Sequence, residues 1–197
     1  MKLLHSATSP FARKVRVVIA ERGLSVELEA ASPLDEGSPV RRFNPLGKVP
    51  VLLLDDGSSL FDSPVICEYL DSLGDAPPLL PSTGQDRWTD LRTQALADGI
   101  LDAAVNTVTE GRRPEAERSA GWVECWTLAT ISGVAMAEDQ ARKARQDWTL
   151  GAIALACALG YLDFRLSRIA WRAANPTLAS WYATQAVRPC MANTAPS

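Results

Sequence analysis

The chain has 197 residues, 47% of them hydrophobic and 22% charged, with a formal net charge of −3. That length accommodates one large domain or two small ones, and the charge gives no electrostatic basis for binding nucleic acid or an anionic membrane. The opening MKLLHSATSP turns polar too early for a signal peptide, and the most apolar stretch, 150–162, is too short to span a bilayer. A cytoplasmic protein is the expectation.

The first apolar run, KLLH (2–5), reads as a strand. His5 ends it as the chain's one histidine and reads as structural; with no metal-ligand spacing anywhere, no metal site is expected. TSPFARKVRV (8–17) follows. Its valines would suit a strand, but Ser9 fits a helix N-cap and Pro10 the first helical position. Phe11, Val15, Val18, Ile19 and Arg22 then recur at helical spacing, with Gly23 as the stop. A hydroxyl at that entry also faces the positive end of the helix dipole, so a cap and a chemical group are both open readings.

VELEA (26–30) is the second strand, and after a variable segment VPVLLL (49–54) and SSLF (58–61) form a hairpin around Asp55-Asp56-Gly57. Pro50 cannot donate to a sheet ladder and belongs at a strand's start or edge, where a trans bond is the ordinary form. A cis bond would instead turn Val49's N–H and C=O outward, toward an extended peptide. SPVICEYLDSLG then predicts a helix over 64–73, with Ser63 as N-cap, Pro64 at the first position and Gly74 as stop. Free amides at that entry suit a carboxylate, and Asp62 beside them an ammonium group. Two plain capping residues would explain the same pair.

GDAPPLLPSTGQ reads as a linker, which divides the chain into 1–75, a linker over 76–84, and an all-helical part over 85–197 that carries all six tryptophans. Helices are predicted over about 85–110, 115–146, 149–165 and 175–186. The third is apolar on nearly every face, so it belongs at the centre of a bundle. Thr149 is its N-cap, but Ala152 stands where a capping box would carry an acid, which leaves that box incomplete. Asp98 and Asp102 share a helix face and suit a solvated acidic surface. Cys67, Cys125, Cys157 and Cys190 form no C-x-x-C pair and read as isolated thiols.

Three stretches together resemble the glutathione transferase family: Ser9-Pro10-Phe11-Ala12-Arg13, Asn44-Pro45-Leu46-Gly47-Lys48-Val49-Pro50, and Asp62-Ser63 opening a helix. ALADGILDA (95–103) and TLGAIALACALGYLDFR (149–165) also resemble it, especially its bacterial YibF-like branch. The resemblance covers nearly the whole chain. It implies an α/β plus all-α fold, a thioredoxin-like β-α-β-β-β-α domain followed by an all-helical one. It also implies a homodimer with one glutathione site per subunit near the interface, and no metal.

Under that resemblance Val49 pairs through its backbone with the cysteinyl part of glutathione, and Pro50 is cis. Asp62 and Ser63 hold the γ-glutamyl group, Lys48 reaches the glycyl carboxylate, and Asp98 is a candidate for a contact across the dimer. Ser9 lies where the family carries Ser or Cys beside the glutathione sulfur; Thr8 and Ser6 fit the helix entry less well. Glutathione is then a co-substrate whose thiol, activated by Ser9, attacks a small electrophile. Two other functions share the motifs. One is thiol-disulfide reduction, for which the family uses Cys in place of Ser9. The other is a binding or interaction module of the same fold without catalysis.

Overall fold

The structure, a computed structural model, describes residues 1–143 and 147–196. It divides into two compact units, Met1–Arg87 with Pro189–Ser197, and Trp88–Arg188. The first is built on strands β1 (Lys2–His5), β2 (Glu27–Ala30), β3 (Val51–Leu53) and β4 (Ser59–Leu60), in the order β2-β1-β3-β4. β1 lies parallel to β2 and antiparallel to β3, and β3 and β4 form the expected hairpin. Helices α1 (Pro10–Glu21), α2 (Val40–Phe43) and α3 (Ser63–Asp71) complete the thioredoxin-like plan. The short α2 occupies the variable segment and adds one helix to the predicted order.

The sheet holds together because its central strands are apolar on both faces: Leu3, Leu4, Val51 and Leu52 are buried, along with Val15 and Val18 of α1 and Ile66 and Leu70 of α3. α1 stops as predicted, with Arg22 at the C-cap and Gly23 at φ +63°. Arg22 also has a task that its place on the apolar face did not predict. Its buried guanidinium donates to the carbonyls of Leu73, Ala76 and Pro77, and lies 3.6 Å from Asp71, whose carboxylate accepts from the amides of Leu79 and Leu80. The Pro-rich stretch after α3 is thereby tied to the first unit.

The second unit contains α4 (Gly84–Glu110, whose first turn belongs to the first unit), a 3₁₀ turn at Glu115–Glu117, α5 (Ala120–Lys143), α6 (Leu150–Arg165), α7 (Trp171–Ala174) and α8 (Pro176–Ala186). The helix predicted over 115–146 thus begins at Ala120, because Pro114 and the 3₁₀ turn precede it, and residues 144–146 lie outside the described residues. Every residue of α6 from Leu150 to Leu162 is buried, as its composition requires. Its N-terminus is completed from another helix. Thr149 accepts from the Ala152 amide, and the acid absent at position 152 is matched by Asp90 of α4, whose two carboxylate oxygens each lie 3.0 Å from the Gly151 nitrogen. A last short helix, α9 (Pro189–Ala192), belongs to the first unit. Of the cysteines, Cys67, Cys157 and Cys190 are buried and Cys125 is exposed, and none is joined in a disulfide.

Candidate functional site

Strand register brings the three motifs of the first unit to one place. Leu4 faces Val51 across β1 and β3, and Leu52 faces Leu60 across β3 and β4. The residues that follow β1, precede β3 and follow β4 therefore emerge at the same end of the sheet. These are Ser6–Ser9, Lys48–Pro50 and Phe61–Ser63. The N-termini of α1 and α3 start from that end, so two positive dipole ends converge there.

Ser9 is half-buried and caps α1 from an extended backbone conformation, its Oγ accepting from the Ala12 amide at 3.2 Å. Among the described residues this accepted bond is the only one its side chain makes, which leaves the hydroxyl proton to be donated elsewhere. Ser6 and Thr8 share a hydrogen bond at 3.4 Å and neither caps the helix. His5 ends β1 beside them. Burial, and secondarily the charge of Arg16, hold its pKa below the ordinary imidazole value, so it is neutral near pH 7.

The loop before β3 is held by a residue to which the sequence reading gave no role. Asn44 is buried; its amide nitrogen donates to the Lys48 carbonyl at 2.9 Å and its amide oxygen accepts from the Leu46 amide at 3.0 Å. Gly47 sits at φ +62°, a left-handed backbone conformation that favours glycine. The available signal was Asn ahead of a Pro-x-Gly turn, a residue type that ties down its own turn through the side chain. Beyond the turn Lys48 is exposed, and Val49 is half-buried against a cluster of Leu4, Ala31, Val40 and Val51. The Val49–Pro50 peptide is cis, the form implied by the family resemblance rather than by the ordinary preference of X-Pro bonds.

At the third segment the N-cap assignment is corrected. The Ile66 amide donates to the Asp62 carbonyl, so the helical ladder begins one residue earlier than the hydroxyl pattern predicted. Asp62 occupies the N-cap, and Ser63 is the first helical residue, buried. The Asp62 side chain makes no capping bond and is exposed, so its carboxylate faces solvent at the sheet end. Asp98, half-buried, and Asp102, exposed, lie on α4 in the second unit. Among the described residues no group of three His, Cys, Asp or Glu side chains is gathered as metal ligands, and no helix is long and apolar enough to cross a membrane.

Known proteins resemble this chain in sequence and fold. Residues 3–78 match the family model described as the glutathione S-transferase N-terminal domain. An uncharacterised GST-like protein of Escherichia coli K12, YibF, is 36% identical over 203 residues, covering 100% of this chain and 98% of its own. A glutathione S-transferase of Methylobacillus flagellatus KT, solved with glutathione bound, superposes with a TM-score of 0.95 at 41% identity, covering 100% of this chain and 99% of that one. A glutathione transferase family member of Pseudomonas fluorescens Pf-5, solved with S-(propanoic acid)-glutathione, gives a TM-score of 0.88 at 39% identity over 100% of both chains.

Proposed function

The chain belongs to the glutathione S-transferase family, and on that premise we propose that it is a glutathione transferase, which activates the glutathione thiol for attack on a small electrophile. The observation that carries this reading is the convergence of Ser9, Val49 and Asp62-Ser63 at one sheet end with two helix N-termini. Glutathione has a complementary group for each feature. The γ-glutamyl carboxylate suits the amides opening α3 and the Ser63 hydroxyl, and the ammonium suits the exposed Asp62 carboxylate. Val49 pairs with the cysteinyl peptide through its backbone, Pro50 shapes that approach, and Lys48 meets the glycyl carboxylate. Neighbours solved with glutathione and with one of its thioethers support the same ligand class.

In this reading Ser9 is a hydrogen-bond donor and not the nucleophile. Its oxygen accepts from Ala12 while its proton points to the glutathione sulfur, favouring the thiolate. The thiolate then forms a bond to the electrophilic carbon, whose displaced electron pair leaves with a leaving group or takes up a proton. Disulfide reduction through a protein thiol has no cysteine at position 9 to work with. The active form is a cytoplasmic homodimer, with Asp98 the candidate to reach the partner's γ-glutamyl amine. Calorimetry at millimolar glutathione should record binding, sedimentation should give twice the chain mass, and a panel of electrophiles should reveal turnover. Absence of binding heat would refute the reading, and binding without turnover of any electrophile would favour a non-catalytic module.

A further inference from the structure

Tyr161 lies outside the roles above. It is 6% exposed, near the end of the buried run of α6, and its hydroxyl makes no hydrogen bond among the described residues. That oxygen is not among the buried polar atoms left without a partner, so it reaches solvent at the edge of a packed ring. Arg165 follows by four residues, which places it on the same helix face one turn further on. Its guanidinium carbon lies 4.1 Å from the centre of the Phe164 ring, which holds this exposed charge in place. A second exposed cation, Arg112, comes from just beyond the end of α4. Burial pushes the Tyr161 pKa above the ordinary phenol value, while the charges of Arg165 and Arg112 pull it back. Both guanidiniums therefore lie within electrostatic reach of the one oxygen.

Neither arginine has a counter-charge: among the described residues Arg112 and Arg165 form no ion pair. Carboxylates close to them in sequence are engaged elsewhere. Asp163 accepts from Trp171 Nε1 at 2.9 Å and from Arg172 at 2.7 Å. Glu110 accepts from the Ser119 amide at 2.8 Å and lies 3.9 Å from Arg113, which also pairs with Glu117 at 3.3 Å. The helix dipole favours a cation in the last turn of α6, which accounts for Arg165 by itself. It does not account for a second unneutralised guanidinium brought from another helix to the same hydroxyl, because like charges repel. An anion between them removes that cost. A guanidinium donates in a planar fork that matches carboxylate or phosphate oxygens, and a phenol that stays protonated adds one more donor. We propose that Arg112, Arg165 and the Tyr161 hydroxyl form a binding site, within the second unit, for the carboxylate or phosphate group of a small organic acid. The site does not depend on the glutathione reading.

The test titrates the full chain, without glutathione, with para-fluorobenzoate and with para-fluorophenyl phosphate, each followed by fluorine NMR. Saturable binding of at least one probe is expected, and the tighter of the two names the group the site takes. Neutral para-fluorobenzamide, with the same aromatic body, should not bind over the same range. Arg112→Gln and Arg165→Gln should each weaken the bound probe at least about tenfold, the factor expected for a lost hydrogen bond to a charged group. Tyr161→Phe keeps the ring and loses only the donor, so a roughly threefold to tenfold loss is expected. Both arginines are exposed, so their variants should fold, which circular dichroism checks. Unchanged affinity in folded Arg112→Gln and Arg165→Gln overturns the proposal, as does a benzamide that binds as well as the anions. Wild-type protein that binds neither anionic probe overturns it too, and leaves the glutathione reading untouched.

Discussion

Asp90 offers the sharpest stability test. Its buried carboxylate sits across the N-terminus of α6, both oxygens 3.0 Å from the Gly151 nitrogen, with Gln94 Nε2 at 3.4 Å from one of them. A hydrogen bond to a charged acceptor contributes about 1.5–3 kcal/mol, and a carboxylate at a helix N-terminus adds about 0.3–1 kcal/mol, more where partly buried. Asp90→Ala also leaves the Gly151 amide buried without its partner. A loss of about 3 kcal/mol is expected, which for a chain of this size lowers Tm by about 6–12 °C. Asp90→Asn keeps one acceptor and should fall between. The same contact explains a glycine inside a helix: a Cβ on Gly151 would stand 2.6 Å from Asp90 Oδ1, 2.8 Å from the Asp90 carbonyl and 3.0 Å from Thr93 Cβ. Gly151→Ala should therefore destabilise by about 1–3 kcal/mol despite alanine's better helix propensity. Urea unfolding of the three variants decides it. Midpoints within 0.5 kcal/mol of wild type for Asp90→Ala would refute the role of this carboxylate.

Three further outcomes are expected. Ser9→Ala should reduce turnover roughly tenfold to a hundredfold near pH 7, because a free thiol titrates near about 8.5 and needs help to ionise; the deficit should shrink at pH 9, and one equal at both pH values would return Ser9 to capping alone. Asp62→Ala with Ser63→Ala should weaken glutathione binding at least about tenfold by calorimetry, with folding checked by circular dichroism. Glu138, although burial pushes its pKa up, is held below the ordinary carboxylate value by the amides of Leu178 and Thr177 and by Arg142. Its stabilisation is thus present above the unfolded glutamate pKa and is lost as pH falls through the lower folded value; Glu138→Gln should flatten the acid limb of a Tm–pH profile.

Most of the first unit was legible because its signals are local. Pro10 and Gly23 bracket α1, Asp55-Asp56-Gly57 turns the hairpin, and apolar runs of strand length fall between such marks. The all-buried α6 was equally plain from its composition. What escaped were bonds between residues far apart in sequence. Nothing near Ala152 announces that Asp90, 61 residues before Gly151, supplies a carboxylate, nor near Arg13 that Met191 will accept from it across 178 positions. The misplaced cap on α3 has a different origin. Ser63-Pro64 and Asp62-Ser63 are both acceptable N-terminal pairs by residue type, and only the backbone bond from Ile66 to Asp62 chooses between them.

The same limit explains why Ser9 could not be assigned as cap or chemical group from its neighbours. The two roles do not compete for the same part of the hydroxyl. A serine oxygen carries two acceptor lone pairs and one proton. The Ala12 amide takes a lone pair, so capping stabilises α1 without consuming the donor. An accepted bond from a helix amide also draws electron density from the oxygen, which makes its proton a better donor to a neighbouring anion. Replacing Ser9 by cysteine separates the functions: sulfur is a weak acceptor and caps poorly, yet its thiolate is a nucleophile in its own right. Ser9→Cys should therefore lower Tm by an amount similar to Ser9→Ala while gaining reduction of glutathione mixed disulfides. A variant as stable as wild type, or one without disulfide exchange, would mean that the oxygen's two roles are not separable in this way.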